Sequence, residues 1–146
     1  MWKDRVEATL KPHLSENAVS AASALLAAFH TTEEVMAGRV TGDVRRAAAQ
    51  MLVDLTVGLV SNPWWQKHGP FVMPVFAVAV NAWLDCGIYA QRAAKDVVGD
   101  PDLLRSTYVR SVLTEVVSAV AIADLGFARA HAISAKVRDA ITALER

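Results

Sequence analysis

Cysteine occurs once in this 146-residue chain, at Cys86, so no intrachain disulfide can staple the fold. A single thiol in an apolar segment reads as a free, buried one in a reducing compartment, and the expected location is cytoplasmic. Zinc ligands are equally scarce, since the four histidines (His13, His30, His68 and His131) are scattered along the chain. Neither sign of charge is in excess: Lys and Arg total 15, and Asp and Glu total 15. General nucleic-acid binding draws its affinity from a basic surplus, so that class is not expected here. Arg39, Arg45 and Arg46 make only a weak basic spot, with Glu33, Glu34 and Asp43 close by in sequence. No Gly-rich phosphate loop and no Gly-x-Ser-x-Gly elbow is present. Internal repeats and low-complexity tracts are also lacking. The opening Met1-Trp2-Lys3-Asp4-Arg5 carries too much charge for the apolar core of a signal peptide.

What the chain does have is apolar residues, at 53%, against 21% charged. Glycine and proline are sparse and mostly punctuate apolar runs, the pattern of a helical protein. Alanine is abundant and favours helix, and arginine outnumbers lysine, a composition common in GC-rich bacterial or phage coding. Period-two alternation is never sustained, Val75 to Val80 being the nearest case. The fold class expected is therefore all-α, a compact bundle of five to seven helices forming one domain over 1–146.

The spacing predicts a first helix over Trp2 to Lys11, stopped by Pro12. Ser15 caps a second that carries Ala18, Ala21, Leu25, Leu26 and Phe29 inward. Thr31 and Glu34 fit a capping box, which predicts a fresh helix start there. Thr41 or Asp43 caps a third helix, with Ala48, Met51, Leu52, Leu55 and Leu59 on one face. Val53, Val57 and Val60 fall on the other side, so the carboxy-terminal half of this helix is apolar nearly all round and a central, buried position is expected. Asn62-Pro63 ends it, Trp64 to His68 form a stiff connection, and a long helix begins at Pro70 or Pro74 and runs to about Val98. Gly99-Asp100-Pro101 is a turn, and the remainder is helical, with Gly126 either dividing it or lying inside one helix. The stretch Phe71 to Ala90 has the length of a membrane span, but Asn81 and Asp85 within it argue against one.

Two sets of residues are candidates for function. The Trp64-Trp65-Gln66-Lys67-His68 connection offers a partner-binding contact through Trp64, Trp65 and His68, or else plugs the end of the bundle. Carboxylates inside apolar runs form the second set. If Asp54, Asp85 and Glu115 converge, they can hold a divalent cation or supply a general base; otherwise they are ion-paired or solvent-facing. Asp124 is a further acid of this kind. His30 and Glu33 can ligate metal together if they share one continuous helix. The di-iron bundle signature, Glu-x-x-His on two helices, is not met by this lone His-x-x-Glu.

No cofactor signature is found. The function expected is that of a non-enzymatic helical interaction or scaffold protein acting through an oligomeric or partner-binding surface. Homodimerisation is the default, because apolar residues left over after the core is filled need cover. The alternative is a small all-α metal-dependent hydrolase using the carboxylates named above.

Overall fold

The computed structural model describes the backbone at 2–38, 41–95 and 101–142, and the side chains at 4–38, 41–85 and 109–142. Among these residues the chain forms six helices and no strand: α1 (Trp2–Leu10), α2 (Glu16–Met36), α3 (Val44–Gly58), α4 (Pro63–Lys95), α5 (Pro101–Leu125) and α6 (Phe127–Thr142). The all-α bundle expected from composition and spacing is what the chain forms. The most extensive packing is between α4 and α5; α2 touches α1, α3, α4 and α5, and α1 also reaches α6.

The core follows helical spacing. Ala18, Ala21, Leu25, Leu26 and Phe29 of α2 are buried, and Phe29 meets the indole of Trp83 from α4 edge-on, with ring centroids 4.9 Å apart. Val116, Val117 and Val120 bring the inner face of α5 to the same core.

Three boundaries differ from the sequence reading. First, α2 runs through Thr31 and Glu34 without a break. Thr31 and Thr32 donate their hydroxyls back to the carbonyls of Ala27 and Ala28, so neither is free to cap a new helix. Second, α4 starts at Pro63, not at Pro70 or Pro74, and both of those prolines lie inside it. Asn62 caps the helix by accepting the Trp65 N–H at 3.1 Å, and Pro63 takes the first helical position, where a missing N–H costs nothing. Pro70 and Pro74 sit four apart on the exposed side. Each costs about 3 kcal/mol inside a helix. Against this, Trp65, Val72, Phe76, Val80 and Trp83 are buried on the opposite side, each such burial contributing roughly 1.5–3 kcal/mol. Burial wins, and the helix continues. The predicted end near Val98 lies outside the described residues, as does the turn at Gly99-Asp100. Third, α3 lies at the edge, with its main packing among the described residues against α2 and α4. Its Ala48, Met51 and Leu55 are buried as expected, but Val53, Val57 and Val60 are 57%, 68% and 65% exposed. Asp43, rather than Thr41, caps it, accepting the Arg46 N–H at 2.9 Å.

Gly126 settles its own question by adopting φ +81°, which ends α5 and lets α6 begin at Phe127. A Cβ there would meet nothing within 4 Å, so its requirement is purely one of backbone conformation. Gly126→Ala is expected to cost about 1 kcal/mol, read as a lower urea midpoint with an unchanged slope.

Candidate functional site

Trp64 and Trp65 open α4, and both are only 8% exposed. Residues in the first turns of a helix whose inner face packs on the core are drawn inward with it. The Trp64 indole N–H donates to Asp124 Oδ1 at 2.9 Å, and its ring lies 4.8 Å from the half-buried His68 ring, one turn further along. The Trp65 ring lies across Gly69, where a Cβ would fall 2.9 Å from the indole; only glycine permits that approach. The aromatic segment therefore closes the end of the bundle and leaves little indole surface for a partner.

Asp124 is the centre of this corner. Its carboxylate accepts the backbone N–H of Ser15 at 2.9 Å, the Ser15 hydroxyl at 2.8 Å and the Trp64 indole. Ser15 is the N-cap residue of α2, yet its hydroxyl makes no cap to its own helix. The anion that serves the positive end of α2 comes instead from the last turn of α5, where a negative charge does that helix no good. Asn62 ties the same corner from the other side, donating its side-chain amide to the Asn17 carbonyl at 3.1 Å. Sequence reasoning grouped Asp124 with the acids inside apolar runs but found no partner for it. The sequence separations of 109 and 60 residues leave no local signal.

The acids singled out for metal or base chemistry do not come together. Asp54 is exposed and accepts a hydrogen bond from Gln50 at 2.8 Å, within its own helix. Asp85 is exposed and faces Arg45 across α3 and α4 at 3.6 Å. Glu115 is exposed at the edge of a groove between α4 and α5. Helical periodicity alone put these residues among apolar neighbours; all three occupy the solvent side. Cys86 lies outside the described side chains.

The one group of three or more ligand-type side chains gathered among the described residues is His30, Glu33 and Glu34. All three are half-buried on the uninterrupted α2, so the condition set by the His-x-x-Glu spacing is met. Their candidate ligand atoms lie within 4.8 Å of one another, and His30 Nε2 is 3.5 Å from Glu34 Oε1. One imidazole and two carboxylates on one helical face can offer a divalent cation three ligands with open positions beside them.

Apolar surface is the other conspicuous feature. Val53 and Val57 lie four apart on one face of α3, and Val60 follows in the turn just after it. On α4, Phe71 and Val78 are 49% and 70% exposed, with Pro74 and Val75 between them. No helix among the described residues is long and apolar enough to cross a membrane.

No family model matches this chain, and no similar curated protein or solved structure was found.

Removing the Asp124 carboxylate leaves the Trp64 indole N–H and the Ser15 backbone N–H without their acceptor. Asp124→Ala is expected to destabilise the chain by about 2–4 kcal/mol, with tryptophan emission shifted to the red as the Trp64 corner loosens. Asp124→Asn keeps an acceptor oxygen and is expected to lose less.

Proposed function

We propose that this chain is a non-enzymatic helical interaction protein that works through its exposed apolar surface, with a second copy of itself as the first partner. The observation that carries this reading is the Val53–Val57–Val60 stripe, which points away from a core already filled by Met51 and Leu55. Val53 and Val57, on one face of α3, and Val60 in the turn that follows it each keep more than half their surface in water, the kind of side that helices bury against a partner. A formal net charge of zero adds no long-range repulsion between copies. The inward-turned Trp64 and Trp65 make a minor contribution at most, while His68 remains at the rim of that corner. The single cysteine favours a reducing, cytoplasmic setting.

Val57→Asp places a charge in the middle of the stripe without touching the core. Sedimentation velocity at micromolar concentration is expected to show a dimer for the wild type and a monomer for the variant, with the same helical circular dichroism. A wild-type chain that sediments as a clean monomer overturns self-association.

A second reading, a metal-dependent hydrolase, is favoured by one observation: the gathering of His30, Glu33 and Glu34 on α2. It no longer draws on Asp54, Asp85 or Glu115. Calorimetric titration with Zn2+ separates the two readings. One equivalent bound by the wild type and lost in His30→Ala supports a metal centre, and the absence of a binding isotherm removes it.

A further inference from the structure

Helices α5 and α6 diverge from Gly126 and leave between them a partly open trough of about 260 Å³. Its floor is apolar and buried, built from Val117 and Ala121 of α5 and from Ile133 and Val137 of α6. Its rim is polar, because His131, Ser134 and Arg138 follow one another at spacings of three and four residues along one side of α6. One helix thus presents an oily stripe to the floor and a polar one to the edge, where the Ser134 hydroxyl donates to the His131 carbonyl at 2.7 Å and Arg138 is the free donor among the described residues.

The charge at this rim has one sign. Arg138 is exposed, and its guanidinium makes no ion pair or hydrogen bond among the described residues. No carboxylate lines the trough; the one acid on α6, Asp139, lies outside it. Arg129 and Lys136 also lie on α6, but Arg138 is the cation that lines the trough. An apolar slot with an unpaired guanidinium at its edge is complementary to a molecule with an aliphatic tail and an anionic head.

We propose that the α5–α6 trough binds a free, medium-chain aliphatic carboxylate. Its tail lies on Val117, Ala121, Ile133 and Val137, and its carboxylate is held by Arg138, with Ser134 and His131 within the same rim. The site is on the other side of the fold's chain order from the α3 stripe and does not depend on dimerisation.

Decanoate below its aggregation concentration is the probe, titrated into the full chain and followed by amide chemical shifts. Saturable shifts confined to the 114–138 region are expected. Because Arg138 is exposed, Arg138→Gln leaves the fold intact; it is expected to weaken decanoate about tenfold, the loss of a charge-assisted hydrogen bond. Arg138→Lys is expected to keep most of the affinity. Decanol and decyltrimethylammonium, which share the tail but not the charge, are expected to bind far more weakly. Equal binding of all three amphiphiles overturns the proposal, as does unchanged affinity in Arg138→Gln. Shifts centred on α3, or binding only to phosphatidylglycerol vesicles with no saturable response to decanoate, also overturn it. A monomeric chain that binds decanoate refutes self-association alone, and a dimer that ignores decanoate refutes this site alone.

Discussion

A carboxylate at the last turn of α5 holds together the beginnings of two other helices. Asp124 takes both donors of Ser15 at the head of α2 and the indole of Trp64 at the head of α4. The terminal N–H groups of a helix have no intrahelical acceptor, and their partial positive charge attracts an anion. Here the helix does not supply that anion from its own cap residue. It comes from a third segment, so local helix termination and tertiary assembly become the same event. Asn62 reinforces the corner by capping α4 with its oxygen and reaching α2 with its nitrogen. The consequence is a rigid end to the bundle in which the tryptophans serve packing more than recognition.

The core shows which parts of this arrangement periodicity makes legible. Leu25, Leu26 and Phe29 on α2, and Met51 and Leu55 on α3, are inward because apolar residues at three- and four-residue spacings have nowhere else to go. The same rule fails for Val53, Val57 and Val60, since spacing cannot say whether a second helix lies on the far side. It fails for Asp54, Asp85 and Glu115 for the converse reason: an acid between apolar neighbours in sequence still points outward on a helix of the right phase. Asn62-Pro63 was read as a stop when it is a start, because asparagine and proline suit a cap and first-turn position as well as a turn. Gly69 gives no hint in sequence that an indole will lie across it.

These departures share a direction. The exposed valines and the three acids each move an apolar group onto the surface or a polar group out of the interior, relative to a reading in which the bundle buries everything oily. The molecule has more apolar side chains than a single core of its size encloses. The excess is not scattered: it lies along α3, along the outer side of α4 and in the slot between α5 and α6. Among the described residues Asp54, Asp85 and Glu115 are spread over the exterior, and the ligand-type side chains that gather are those of α2.

The wiring of that corner also bears on how the chain comes into being. Residue 15 waits for residue 124 before the head of α2 has its counter-charge, and α1 lies against α6. During synthesis from the amino end, the early helices emerge with oily faces whose final covers are still unmade. Local helical turns form within microseconds, whereas a ribosome adds only about 5–20 residues per second. The nascent segment up to the middle of α5 therefore spends seconds with its strongest long-range tie missing. In that interval a chaperone has an exposed Leu- and Ala-rich helix to hold, and closure falls to the last few turns delivered.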